Sequence, residues 1–139
     1  MNSRRSGFTL IELLVVVAIL GIISAIGIVG YNGYVSSSKK KSVENALMQL
    51  SLAQTEYYSD NSIYYGASRS TTCNPTSATT ATVQSKLVSG AELFSDELGY
   101  HVCAVTDNTA LYYLVAKQSG GTCEIKLTAN LQSTTRKTC

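Results

Sequence analysis

Two sets of residues in this chain have types and spacings suited to chemistry. One is a single acid, Glu12, inside a long apolar run; the other is four cysteines spread over the remainder. Glu12 is the only ionisable side chain in the 22 residues from Phe8 to Val29, FTLIELLVVVAILGIISAIGIV. A carboxylate within a bilayer costs ~2.5–3.5 kcal/mol on insertion scales, and such groups usually have a partner. No basic residue within the run supplies one. The chemistry open to Glu12 is charge pairing with a group from outside the run. Cys73, Cys103, Cys123 and Cys139 are even in number, and none stand in C-x-x-C spacing. Their wide separation, with His101 the single histidine, fits a zinc site poorly. Two disulfides in an oxidising compartment are expected, and the count allows three pairings among which the spacing does not choose.

No catalytic residue is assigned. The chain has no G-x-S-x-G, Walker loop or H-E-x-x-H pattern. His101 falls in a strand-like run and reads as structural. Asp96-Glu97 lacks further oxygen ligands in loop spacing and reads as a solvated acidic turn rather than a calcium site. No metal and no cofactor is expected. Nine tyrosines, among them the pairs Tyr57-Tyr58, Tyr64-Tyr65 and Tyr112-Tyr113, suit amphipathic packing or subunit contacts.

The element that carries Glu12 is a helix of membrane length. At ~1.5 Å per residue the run is ~33 Å long, against a hydrocarbon core of ~30 Å. Ahead of it stand seven polar residues with Arg4 and Arg5, which favour a cytoplasmic N-terminus; Lys39, Lys40 and Lys41 on the far side weaken that count. Those lysines read as a solvated face. A cleaved secretory signal is the alternative, with Ala25-Ile26-Gly27 as its cleavage site, but a disposable signal gains nothing from Glu12. Of 139 residues, 11 are basic and 9 acidic. Arg4 and Arg5 account for the excess, so the rest of the chain is neutral and carries no basic footprint for nucleic acid.

Gly7-Phe8-Thr9-Leu10-Ile11-Glu12-Leu13, preceded by Arg4 and Arg5, resembles the cleavage and methylation motif of type IV prepilins of the N-methylphenylalanine (type IVa-like) kind. The resemblance covers about the first 34 residues. It implies that a prepilin peptidase and methyltransferase removes residues 1–7 after Gly7 on the cytoplasmic side and N-methylates Phe8. It also implies that Glu12 neutralises the terminal amine of a neighbouring subunit and so sets register. An ammonium and a carboxylate buried together attract strongly, whereas either alone is costly. The implied protein is a structural subunit, not an enzyme. It is held in the inner membrane, passed to the inner-membrane assembly machinery and polymerised into an extracellular helical filament for adhesion, twitching motility or DNA uptake. Nucleic acid would be bound only through the assembled filament. A type II secretion pseudopilin is the alternative within the family; a membrane-anchored binding protein that never polymerises is the alternative outside it. Gly21 matches a glycine usual in the family, but Val29 stands where proline is common. Gly21, Gly27 and Gly30, with Gly33, are weak points in a helix; they permit either local melting or close helix packing.

From Val43 the apolar period becomes that of an amphipathic helix, with Val43, Leu47, Leu50 and Tyr57 on one stripe beside Ala46 and Ala53. One helix is expected over residues 8–59, apolar all round and then one-faced. Ser59-Asp60-Asn61-Ser62 should end it. Residues 60–97 read as a variable loop rich in Ser and Thr, with short helices at about Val83–Val88 and Ala91–Phe94. Tyr100–Thr106, Leu111–Ala116 and Cys123–Thr128 read as three antiparallel strands, the first two joined by a turn at Asp107-Asn108. The tail from Asn130 to Cys139 shows no regular period. The expected fold class is α+β: a long N-terminal helix packed on a small antiparallel β-sheet, with a disulfide-tied C-terminal loop. Its divisions are a 1–7 leader, an 8–30 membrane and assembly helix, and a 31–139 head comprising 31–59 helix, 60–97 loop and 98–139 sheet. Pairing Cys123 with Cys139 resembles the family's C-terminal disulfide loop, and leaves Cys73 with Cys103.

Overall fold

The computed structural model describes residues 7–107, 111–129 and 133–139. Arg4, Arg5 and Asn108, which carried expectations above, lie outside the described residues. The first element, α1, is a 52-residue helix over Leu10–Asn61. No proline interrupts it, and it ends where Ser62 turns into the left-handed region at φ 59°. Two compact units divide the chain between Ser38 and Lys39, and α1 belongs to both.

In the first unit every large apolar side chain from Phe8 to Tyr34 is exposed. In the second, α1 presents Val43, Ala46, Leu47 and Leu50 to a four-stranded antiparallel sheet. The strands are β1 (Tyr100–Thr106), β2 (Tyr112–Gln118), β3 (Glu124–Thr128) and β4 (Ser133–Lys137), in spatial order β1-β2-β3-β4. Pairing sets Cys103 opposite Val115, Val115 opposite Lys126, and Lys126 opposite Thr135. Period-two alternation therefore brings Val102, Ala104, Leu114, Ala116, Ile125 and Leu127 into the same core as the helix stripe. The fold is α+β.

Two local expectations are corrected. The tail contains a strand, β4, with no apolar period because it is an edge strand whose Thr135, Arg136 and Lys137 are exposed. Its backbone pairing with β3 defines it, and pairing leaves no mark on side-chain type. The second helix, α2, runs Ser77–Leu87, six residues earlier than expected, and Ala91–Phe94 forms none. Thr76 and Thr79 build a capping box at its start, and a side chain with low interior propensity is a good cap. Phe94 is buried, its N–H donated to Gln84 Oε1 at 2.7 Å, which holds that backbone out of a helix.

The outer edge of β1 is covered along its length. Val102 N–H donates to Thr80 Oγ1 and its carbonyl accepts from Thr79 Oγ1, both on α2. Further on, Ala67 N–H donates to the Ala104 carbonyl, Thr106 N–H to the Ser68 carbonyl, and Ser70 N–H to the Thr106 carbonyl. Such cover removes a free edge that would otherwise pair with other chains. The disulfide Cys73–Cys103 and a Lys126 Nζ bond to the Thr71 carbonyl hold the same segment. Gln54, fully buried on α1, clamps Tyr65 by donating to its carbonyl and accepting from its N–H, each at 2.8 Å.

This segment can approach β1 only because residue 66 has no side chain. A Cβ on Gly66 would lie 2.6 Å from Thr106 N and 2.9 Å from the Val105 carbonyl carbon. Gly66→Ala is expected to destabilise the head by about 1–3 kcal/mol, as overpacking does. A lowered denaturant midpoint for the oxidised, detergent-solubilised chain checks this; an unchanged midpoint contradicts the close approach.

Candidate functional site: the N-terminal assembly segment

Gly7 and Phe8 are exposed and precede the helix. Thr9 is the N-cap of α1 and Glu12 its third helical residue. Thr9 N–H and Oγ1 both donate to Glu12 Oε2, at 3.0 and 2.6 Å, while Glu12 N–H donates to Thr9 Oγ1 at 3.3 Å. This is a capping box, which satisfies donors that the first helical turn leaves without partners. A carboxylate there also faces the positive end of the helix dipole. Glu12 thus has a local role that sequence reasoning missed. The signal, T-x-x-E ahead of an apolar run, stood in the sequence. Among the described residues, Glu12 Oε1 has no hydrogen-bond partner, so one oxygen orients the carboxylate and the other is available to a second group.

Gly21, Gly27 and Gly30 lie inside continuous helix, and a Cβ built on any of them would meet nothing within 4 Å. No contact among the described residues requires glycine there. The cysteines join as Cys73–Cys103 and Cys123–Cys139, spanning 30 and 16 residues. His101 is half-buried on β1, and Asp96-Glu97 lies in a turn before it.

Residues 2–28 match the family model described as the prokaryotic N-terminal methylation motif. The chain is also 33% identical over 127 residues to fimbrial protein EcpC of Eikenella corrodens, an alignment that covers 91% of this chain and 76% of that one. This chain belongs to the type IV pilin family.

Of the three lysines read as a solvated face, Lys39 and Lys41 are exposed and Lys40 is half-buried, and all three also make bonds within the pilin head. Lys39 Nζ donates to the Glu97 carbonyl at 2.7 Å, and Lys40 Nζ to the Cys139 carbonyl at 3.1 Å. Lys41 Nζ pairs with Glu44 Oε2 at 3.1 Å, and Arg136 Nε on β4 donates to Glu44 Oε1 at 2.8 Å. Spacing could not reveal these links, because their partners are 58, 99 and 92 residues away, Lys41–Glu44 excepted. On the other flank of α1, Ser51 Oγ and the Tyr112 hydroxyl share a hydrogen bond at 2.6 Å, and Tyr58, Tyr64 and Tyr112 pack in sequence at 4.6 and 4.8 Å between ring centres.

The Arg136 hydrogen bond, aided by Lys41, holds the Glu44 carboxyl below its ordinary value of 4.5 against a smaller opposing effect of burial. A depressed folded-state value means the pair stabilises the head fully above about pH 4.5 and ceases to do so as pH falls through the lower folded value. Glu44→Gln is expected to be less stable than the parent at neutral pH, with the difference vanishing below that value. Denaturation across the acid range measures it; a pH-independent difference contradicts the ionic link.

Proposed function

We propose that this pilin is the structural subunit of an extracellular type IV filament. The observation that carries the proposal is the exposed apolar segment that starts at Phe8 and is helical from Leu10, with an oriented carboxylate at Glu12 as its one charge. Residues 1–7 act as a leader, cut between Gly7 and Phe8 by a prepilin peptidase, and the new Phe8 amine is methylated. Residues 8–30 hold the subunit in the inner membrane and then form the filament core, while residues 31–139 form the head. Release from lipid is tolerable only if the apolar surface is reburied among other helices. Inner-membrane assembly machinery performs that transfer, and the product serves adhesion, twitching motility or DNA uptake on the cell surface.

In this scheme the capping box fixes Glu12 Oε2, and Oε1 accepts the N-methylated ammonium of Phe8 from an adjacent copy. The pair sets the register of neighbouring helices. An uncompensated buried ammonium costs ~3–5 kcal/mol, so losing Glu12 should be felt in assembly and not in head folding.

Glu12→Ala is expected to leave a membrane-inserted, disulfide-bonded monomer while filament yield from sheared cells falls roughly tenfold or more. Parental yield would contradict the register role. Separately, Gly7→Val is expected to leave an uncleaved precursor, seen as an unshifted band on immunoblotting; normal processing would contradict the cleavage assignment.

A further inference from the structure

We infer that Tyr31 and Tyr34 are a lipid-interface anchor, which holds their stretch of α1 at the headgroup level of the leaflet farther from Glu12 and so fixes the depth of the helix. The inference rests on the membrane assignment of residues 8–30 and names what sets their position before assembly. In the first 38 residues the aromatic side chains are Phe8, Tyr31 and Tyr34, and the 22 residues between Phe8 and Tyr31 hold none. Tyr31 and Tyr34 stand three positions apart on α1, where they share a face, and they are 68% and 73% exposed. Among the described residues, the ring contacts and hydroxyl bonds made by tyrosines all belong to the head, where Tyr64 and Tyr112 are examples. Tyr31 and Tyr34 have no such role.

Chemistry and distance together identify the occupant of this face. A phenol in hydrocarbon leaves its hydroxyl unpaired, and in water it leaves its ring exposed. The headgroup zone hydrates the one and buries the other. Val29 ends the apolar run, while Asn32 between the tyrosines and Ser36, Ser37 and Ser38 after them are polar. This is where hydrocarbon gives way to water along α1. Glu12 stands 19 positions before Tyr31 on one continuous helix, ~28 Å along its axis, against the ~30 Å of a hydrocarbon core. With the rings held at one boundary, the carboxylate reaches the other. An acid costs ~2.5–3.5 kcal/mol at the centre of a membrane helix, and at the boundary it keeps its water. The same spacing carries the Gly7–Phe8 bond out of the hydrocarbon, where a peptidase can reach it. Without the two phenols the apolar run would continue to Val35 with Asn32 as its interruption, and the centre of the helix would slip by ~4 Å in the bilayer.

The sequence has no tryptophan, so Ile22→Trp, ten positions after Glu12 and nine before Tyr31, reports depth without interference. The full chain carrying it is reconstituted at low density in vesicles of phosphatidylethanolamine and phosphatidylglycerol, with part of the lipid brominated at successive acyl carbons. Fluorescence quenching is expected to peak with the bromines nearest the midplane. Adding Tyr31→Val and Tyr34→Val is expected to move that peak by ~4 Å towards one headgroup region, with both disulfides retained because the tyrosines lie outside the head. An unmoved peak overturns the anchor and leaves the membrane assignment standing. If the same double variant also lowers the yield of filaments sheared from cells, the unmoved peak assigns the pair to contacts between copies instead. A tryptophan that no brominated lipid quenches in the chain with both tyrosines overturns the membrane assignment, and the anchor with it.

Discussion

The constraint on which everything else depends is that a helix with no charge between Leu13 and Ser38 cannot remain in water. Burying one Leu, Ile or Val side chain is worth about 1.5–3 kcal/mol. Fourteen such side chains from Leu10 to Val29 are exposed in the single chain. Their sum is tens of kcal/mol, larger than the ~5–15 kcal/mol that stabilises a whole domain. The first unit therefore decides where the protein is rather than how it folds. It has two solvents available, lipid and its own kind. In the proposed filament, a carboxylate at its start makes the second more specific than the first, because lipid offers no cation fixed at a matching depth.

That carboxylate serves two ends. Seen from one chain, Glu12 is the third residue of a capping box and organises the first turn of α1. In the proposed filament, the same geometry presents its second oxygen in a fixed direction. A side chain held by its own helix loses less freedom on meeting a partner, which is the advantage of preorganisation. The head follows a similar economy. Its lysines, solvent-facing as they are, fasten the middle of α1 to Glu97 and Cys139 and pair with Glu44, so a modest core is reinforced by polar links and two disulfides.

Features that were legible in the sequence are those whose signal is local. The change from all-round to one-faced hydrophobicity at Val43 reported how α1 is shared between two environments, and the β-prone residues of Tyr100–Thr106 and the alternation in Cys123–Thr128 reported strands. Features that escaped are set by partners distant in sequence. β4 is a strand because β3 offers it a ladder, not because its own residues alternate. The cover on β1 by Ala67–Ser70 depends on the absent side chain of Gly66, and the Gln54 clamp on a turn eleven residues later. The start of α2 was hidden by threonines, which disfavour helix interiors but cap them well. Thr9 and Glu12 were visible as a pair, yet the charge problem posed by Glu12 drew attention from the local bond that Thr9 makes.

The filament assignment stands or falls on the N-terminus of material at the cell surface. Filaments sheared from cells, confirmed by electron microscopy and analysed by intact-mass and N-terminal fragment spectrometry, are predicted to contain this chain beginning at N-methylated Phe8. Surface filaments built of a chain that retains MNSRRSG, or sheared material free of this chain in cells that express it, would contradict the account.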